Sequence, residues 1–218
     1  MAEIIRLKAP GGAEQLERTW ELPPLAADEI RLRQTAIGVN CIDIYQRFGF
    51  YPLPDAKIRG VEAVGIVSAV GADVTSLKLG NRVAYAGAPV GAYASEYNLP
   101  AWRAIKLPDS LSDEIVAPVF VKGVTAYMLL TRIASVGRGT TILVHSTAGG
   151  LDQLLTRWAR HLDAAVIGTV GSEAKATAAR EAGAQHVVVG RDAAFAREMA
   201  GLTGGRRGVD AAYDASVA

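Results

Sequence analysis

The segment from 141 to 170, TILVHSTAGGLDQLLTRWARHLDAAVIGTV, constrains the fold more than any other part of the chain. An apolar run, a glycine turn, an amphipathic stretch and a second apolar run predict a strand, a helix and a parallel strand. Such a turn aims backbone N–H groups and the positive end of the helix dipole at one point, where a pyrophosphate fits. Because Ala148, Gly149 and Gly150 are small, the segment predicts a dinucleotide-binding type of α/β fold.

The rest of the C-terminal half continues this alternation. Helix-like SEAKATAAREAG, strand-like HVVVG, helix-like AAFAREMAGLTGG and strand-like VDAAYDAS follow in turn, and the sequence stops at Ala218. This order is typical of a parallel sheet with helices on its faces. A complete sheet of this type has six strands in the order 3-2-1-4-5-6, so we expect a sheet that is truncated after its fourth strand. The apolar edge of that strand suggests a fragment, a homo-oligomer or another partner that covers it.

The N-terminal half has a β-like pattern. Up to about Pro108, short β-branched and apolar runs alternate with Gly and Pro, and helical spacing begins after that residue. GIVSAVGADVTSLKLGNRVAY predicts two strands that are joined by a compact loop. We therefore predict a β-barrel domain over residues 1–121 and a nucleotide-binding domain over residues 122–218.

Composition limits the partners and the location. The chain has 23 Lys and Arg against 22 Asp and Glu, with no basic block, which argues against nucleic acid as a partner. The sequence has no run of about 18 apolar residues, so we expect no membrane span. The start MAEIIRLKAP is unlike a signal peptide. The single cysteine, Cys41, cannot form an internal disulfide, which favours the cytoplasm.

The stretch after the second strand of the alternating half indicates which nucleotide fits. NAD sites usually carry an acidic residue there, whereas this chain reads TVGSEAKA from 169 to 176. The hydroxyl of Ser172 and the charge of Lys175 suit a 2′-phosphate, which favours NADP(H). In the alternative interpretation, Ser172 caps the next helix and Lys175 lies on its solvated face.

Five motifs carry a resemblance to a known family: GVNCIDIYQRFGFYPLP at 38–54, GVEAVGIVSAVGADVTSLKLGNRVAYAGAPVGAYASEYNLP at 60–100, FVKGVTAYMLL at 120–130, ILVHSTAGG at 142–150 and LTGGRRGVDAAYD at 202–214. Together they resemble the quinone oxidoreductases, the zinc-independent, zeta-crystallin-like branch of the medium-chain dehydrogenase/reductase superfamily. The resemblance implies a GroES-like catalytic β-barrel and a Rossmann-type domain, with NADPH in the cleft between them. It also implies hydride transfer to a quinone or an activated enone.

The resemblance assigns candidate site residues. Family positions that line the nicotinamide and the substrate correspond to Asn40, Tyr45 and Tyr51. Positions near the nicotinamide ribose correspond to Lys122 and Thr125, the pyrophosphate turn to Ala148, Gly149, Gly150 and Leu151, and the adenosine-phosphate end to Gly171, Ser172 and Lys175. A tyrosine hydroxyl could stabilise charge on the substrate oxygen, and Asn40 could orient the nicotinamide carboxamide. The alternative role for the two tyrosines is packing of a loop.

Metal chemistry is not expected. Zinc enzymes of this superfamily carry a Cys and a Gly-His-Glu where this chain has Asn40 and Val61, and the required set of convergent nitrogen or sulfur ligands is missing from the sequence. Cys41 is expected to be a small hydrophobic residue beside the barrel, or else a reactive thiol.

The chain departs from the family pattern at the nucleotide turn. Relatives usually read Gly-Gly-Val-Gly, whereas this turn ends in Leu151 and Asp152. A carboxylate that faces the phosphates would oppose them, although it also suits the start of a helix. Gly190 stands where relatives often carry an aromatic residue or His against the adenosine phosphate.

Two main functions remain open at this point. The chain is either an NADPH-dependent quinone or enone oxidoreductase that works without a metal, or a non-catalytic relative with a binding or structural role. An enoyl-reductase module of a larger synthase is a third hypothesis.

Overall fold

The computed structural model describes residues 1–52, 58–190, 195–203 and 208–214. The chain divides into two compact units, Met1–Val121 and Lys122–Ala218, each of which has its own sheet and core. No helix within the described ranges is long and apolar enough to cross a bilayer.

The first unit is built from antiparallel strands. They are β1 (Ala2–Leu7), β2 (Leu16–Glu21), β3 (Glu29–Ile37), β4 (Glu62–Val70), β5 (Arg82–Ala86), β6 (Glu96–Pro100) and β7 (Ile105–Lys106). Strands β1 and β2 form a two-stranded sheet, and the other five form a sheet in the order β6-β3-β4-β5-β7. The pairing of β4 with β5 confirms the two strands that were predicted on either side of a compact loop.

Three short helices accompany these strands. They are α1 (Cys41–Phe48), α2 (Asp113–Val116) and α3 (Phe120–Tyr127), the last of which contains the boundary between the units. Helix α2 begins after Ser112, whose side chain makes no capping hydrogen bond.

The core of the first unit follows the two-residue period of the strands. Ile30 and Leu32 alternate along β3 and are fully buried against Leu99 and Tyr85. The Tyr85 hydroxyl donates to Gln34 Oε1 at 2.9 Å. Burial raises the pKa of Tyr85 far above its usual value, so the hydroxyl stays protonated and remains a donor.

The second unit is a parallel sheet with helices on its two faces. Its strands are β8 (Thr141–Val144), β9 (Ala165–Val170), β10 (His186–Val189) and β11 (Ala211–Tyr213), and its helices are α4 (Gly150–His161), α5 (Glu173–Glu181) and α6 (Phe195–Leu202). A π-helical segment, Met128–Ile133, precedes them. The strand order β10-β9-β8-β11 with parallel pairing confirms the predicted order 3-2-1-4. The last strand is shorter than predicted, and residues 215 and 216 lie outside the described ranges.

The two faces of this sheet bury alternate residues of the same strand. Ile142 and Val144 of β8 pack with Leu155 and Ala159 of α4 on one face. Leu143 packs on the other face, with Phe195, Met199 and Leu202 of α6. Because both faces are covered, β8 reads as a continuous apolar run and not as an alternating one.

Truncation of a core leucine tests the packing of the first unit. We expect Leu99→Ala to lower the free energy of unfolding by about 2–5 kcal/mol, because it leaves a cavity among fully buried side chains. Leu79→Ala removes the same atoms at a residue that is 67% exposed, so it should change stability by less than about 0.5 kcal/mol. Denaturant unfolding of the two variants measures the difference, and equal effects would contradict the described core.

Candidate functional site: a hydrogen-bonded helix start at α1 and a nucleotide turn at α4

The start of helix α1 is fixed by a buried carboxylate. Asn40 occupies the N-cap position with extended backbone, and its N–H donates to Asp43 Oδ2 at 2.8 Å. The Tyr93 hydroxyl donates to the same oxygen at 2.9 Å. Burial, together with the charge of Asp43, raises the pKa of Tyr93, so the phenol stays protonated. The Asp43 carboxylate therefore ties the start of the helix both to the N-cap residue Asn40 and to Tyr93.

A second carboxylate, that of Glu62, holds the side chain of Asn40. Glu62 is fully buried; its Oε1 accepts from Asn40 Nδ2 at 2.7 Å and its Oε2 accepts from the Val121 N–H at 2.6 Å. Gly38 makes room for this arrangement, since a Cβ there would overlap both the Glu62 side chain and the Ala117 carbonyl oxygen. Glu62 thus determines which way the Asn40 amide faces. The sequence analysis did not single out Glu62, although a lone acid in the apolar run GVEAVGIV was a usable signal.

The structure brings the other two candidates of the first unit together near this point. The rings of Tyr45 and Tyr51 lie 6.0 Å apart between centroids at an interplanar angle of 42°. Tyr45 is half-buried and Tyr51 is exposed, so both are open to a ligand in this unit. Cys41 is also exposed, so the prediction of a small hydrophobic residue packed beside the barrel is wrong. It is the first residue of α1, where the side chain is directed into solvent.

The nucleotide turn of the second unit joins β8 to α4 through the five residues 145–149, and a hydrogen bond closes the turn. Ser146 adopts a positive φ of 54°, and the Gly149 N–H donates back to the Ser146 carbonyl oxygen at 2.7 Å. Gln153 Nε2 donates to the Ala148 carbonyl oxygen at 2.9 Å, which ties the turn to the helix. The helix begins at Gly150, so the N–H groups of its first turn are directed out of its N-terminus. The turn has the form of an anion site.

Two further groups of candidates surround this turn. The Lys122 side chain packs at Gly150, where its Cε would lie 3.3 Å from an added Cβ, and Thr125 is half-buried on the same helix α3. Gly171, Ser172 and Lys175 are all exposed after the end of β9. Ser172 is at the N-cap position of α5 but makes no capping hydrogen bond with its side chain. Because β8 and β9 are parallel neighbours, both turns lie at the same edge of the sheet.

The Asp152 side chain is buried at the start of α4 and does not extend into solvent. It is the third residue of α4 and is 5% exposed, and its Oδ2 lies where a Cβ on Gly149 would be. Its Oδ1 has no hydrogen-bond partner among the described residues. Burial raises the pKa of the Asp152 carboxyl to about 6, the residue's own N–H opposes this shift, and the charge of Asp214 adds to it. The carboxyl is thus buried at the position where the sequence analysis expected a glycine that allows close packing of helix and strand.

The remaining observations concern metals and Gly190. Among the described residues, no three His, Cys, Asp or Glu side chains are grouped as metal ligands. Gly190 has a φ of 87°, a backbone conformation that residues with a side chain rarely adopt.

Comparisons with known proteins agree with the fold of both units. Residues 26–109 match the alcohol dehydrogenase GroES-like domain, and residues 150–218 match the zinc-binding dehydrogenase family. A quinone oxidoreductase of Salmonella typhimurium is 41% identical over 217 residues, which are 98% of this chain and 66% of the relative. The chain thus spans about two thirds of the length of such relatives.

Solved structures show the same relationship. Escherichia coli quinone oxidoreductase in complex with NADPH is 39% identical with a TM-score of 0.89, over 94% of this chain and 64% of that one. A mycobacterial quinone oxidoreductase is 39% identical with a TM-score of 0.86, over 100% of this chain and 68% of that one. The chain belongs to the quinone oxidoreductases of the medium-chain dehydrogenase/reductase superfamily, which confirms the resemblance seen in the sequence.

Replacement of Glu62 tests the hydrogen bonds that hold Asn40. In Glu62→Gln, one acceptor oxygen becomes an NH₂ donor, so either the Asn40 amide or the Val121 N–H faces another donor. We expect the free energy of unfolding to fall by about 1–3 kcal/mol. Glu17→Gln, at an exposed position of β2, is the matched control and should be neutral. A neutral Glu62→Gln would show that the two bonds contribute nothing to stability.

The buried carboxyl predicts a pH-dependent stability. Since its pKa is raised from 3.8 to about 6 on folding, ionisation of Asp152 costs stability progressively as the pH rises from about 4 through 6. Asp152→Asn should therefore be more stable than the native chain at pH 8, and this difference should vanish near pH 4. Thermal unfolding of both proteins across this range measures the difference. A constant difference at all pH values would contradict the raised pKa.

Proposed function

We propose that the chain is the barrel and nucleotide-binding portion of an NADPH-dependent reductase of quinones or activated enones. The turn at the N-terminus of α4 carries the proposal, because it combines directed N–H groups, small residues and the Lys122 side chain. Support comes from the family and from the relative that was solved with NADPH. The proposal includes a cytoplasmic location, in keeping with a single exposed cysteine.

The residues at the sheet edge fit the phosphates of this nucleotide with one exception. Gly149 and Gly150 let a pyrophosphate approach the first turn of α4, and Lys122 supplies a positive charge beside it. Lys175 and Ser172 are exposed on the neighbouring turn, where they would hold a 2′-phosphate. Asp152 is the exception, because its charge lies at the same helix start and its carboxylate accepts its own N–H.

The first unit supplies a hydrogen-bond donor for the substrate and a side chain that orients the nicotinamide. NADPH, when bound, provides a hydride for an electrophilic carbon of the substrate. We assign the Tyr45 or Tyr51 hydroxyl as the donor to the substrate oxygen on which negative charge develops. Glu62 holds Nδ2 of Asn40, so the amide of Asn40 has a fixed orientation for the nicotinamide carboxamide. This division of roles requires no metal ligand.

A second candidate function is that of a non-catalytic relative with a binding or structural role. It is favoured by the buried Asp152 at a position where a glycine was expected. NADPH affinity and turnover distinguish the two functions.

The choice of nucleotide is tested at Lys175. If its ammonium group binds the 2′-phosphate, Lys175→Ala should weaken NADPH binding about tenfold and leave NADH binding unchanged. Arg180→Ala removes a cation from the far end of the same helix, α5, and should change neither. Fluorescence titration of the native chain and both variants with each nucleotide measures the six affinities. Equal loss of NADPH and NADH binding in Lys175→Ala would contradict the assignment.

The opposition of Asp152 to the nucleotide is tested by removing its charge. We expect weak NADPH binding by the native chain at pH 8 and binding about tenfold tighter by Asp152→Asn or Asp152→Gly. Tight, low-micromolar binding by the native chain would refute this opposition. Steady oxidation of NADPH with a simple quinone by the native chain would refute the non-catalytic alternative.

A further inference from the structure

Tyr93 lies between the strands of the first unit and the start of helix α1. Its N–H donates to the Arg59 carbonyl oxygen at 2.8 Å, and its carbonyl oxygen accepts from the Ile5 N–H of β1 at 2.9 Å. The backbone of Tyr93 is thus held on both sides. From this backbone the side chain reaches the Asp43 carboxylate of α1.

Gly60 leaves the space that the Tyr93 ring occupies. A Cβ on Gly60 would lie 2.7 Å from Cδ1 of Tyr93, well inside the usual contact distance of about 3.5–4.0 Å between carbon atoms. Gly60 also has a φ of 98°, a backbone conformation that residues with a side chain rarely adopt. Both features require a glycine here, so the position of the phenol is determined by the local sequence.

The Tyr93 hydroxyl shares one carboxylate oxygen with the backbone of Asn40. Asp43 is 4% exposed, and its Oδ2 accepts from the Tyr93 hydroxyl at 2.9 Å and from the Asn40 N–H at 2.8 Å. A buried charge is costly unless it is hydrogen-bonded. Without the Tyr93 hydroxyl, the carboxylate has to turn to another donor or take up a proton. Either change weakens its bond to the Asn40 N–H.

We propose that Tyr93 is a positioning residue for the nicotinamide end of the site. It acts through Asp43, which fixes the backbone of Asn40, whereas Glu62 fixes the Asn40 side chain at Nδ2. The first contact sets where the side chain starts and the second sets its direction, so the amide is placed by both. The inference rests on the proposed function, in which this amide orients the nicotinamide carboxamide.

Asparagine-selective ¹⁵N labelling of the whole chain, without any nucleotide, tests the positioning by NMR. The sequence has three asparagines, Asn40, Asn81 and Asn98, so each backbone and side-chain amide can be followed separately. In Tyr93→Phe we expect the Asn40 N–H to exchange with solvent about tenfold faster than in the native chain. One Nδ2 proton of Asn40 is bonded to Glu62 in the native chain, so the two Nδ2 proton resonances should move closer together in the variant. The amides of Asn81 and Asn98 should not change, which shows that the variant is folded.

Two further variants separate positioning from a general effect on the fold. Tyr97→Phe also removes a phenol hydroxyl, one that donates to the Val90 carbonyl oxygen at 3.4 Å, and should leave the Asn40 amides as they are in the native chain. Asp43→Asn removes the charge through which Tyr93 acts. In that background Tyr93→Phe should have little further effect on Asn40, because the two changes break the same connection.

Turnover measures the consequence for the reaction. With NADPH and a simple quinone, Tyr93→Phe should lower kcat per folded protein about tenfold and change KM for NADPH by less than about twofold. The reason is that the phosphates of the nucleotide bind at the turn before α4, whereas the nicotinamide loses its orientation. The amides of Asn81 and Asn98 give the folded fraction, so a loss of folded protein is not counted as a loss of kcat.

The possible outcomes separate the positioning from the NADPH function. The proposal is overturned if the Asn40 amides in Tyr93→Phe are those of the native chain, if Tyr97→Phe changes them equally, or if the effects of Tyr93→Phe and Asp43→Asn add. A Tyr93→Phe chain with the native kcat would overturn it as well. Absence of turnover by the native chain would refute the proposed function instead, and the nucleotide-free spectra would still decide whether Tyr93 positions Asn40.

Discussion

The close approach of helix α4 to the sheet is the constraint on which the nucleotide unit depends. The turn from β8 to α4 is short and internally bonded, so the third helical residue has to fit against the inner face next to β11. A glycine would fit there without cost. This chain places a carboxyl there, buried and with one oxygen unpartnered among the described residues. The same side chain therefore affects both the packing of the helix on the sheet and the charge at the helix start.

Two buried carboxylates show how differently one residue type is accommodated in the two units. Glu62 has hydrogen bonds at both of its oxygens, and a glycine opposite makes space for it. That arrangement fixes Asn40 and gives the barrel unit a defined polar site. Asp152 has only its own N–H at one oxygen, and burial, with a smaller effect of the Asp214 charge, favours its neutral form. The first carboxylate organises a site, whereas the second makes its site sensitive to protonation.

The sequence predicted the fold well because its signals are periodic and local. Strand, turn and helix alternate over 141–189, and the strand order follows from right-handed crossovers and the known order of such sheets. The boundary of β11 was wrong because an edge strand depends on its one neighbour more than on its own pattern. The orientation of Asp152, the exposure of Cys41 and the role of Glu62 depend on tertiary contacts, which no spacing rule encodes.

A direct measurement of the Asp152 pKa tests most sharply the claim that this carboxyl is buried at the nucleotide turn. The side-chain ¹³C carboxyl resonance, assigned by comparison with Asp152→Asn, can be followed by NMR from pH 3 to 8. A midpoint near 6 is the predicted result, because burial favours the neutral acid. A midpoint near the ordinary value of 3.8 would show a solvated carboxylate and would contradict both the buried position and the pH-dependent stability.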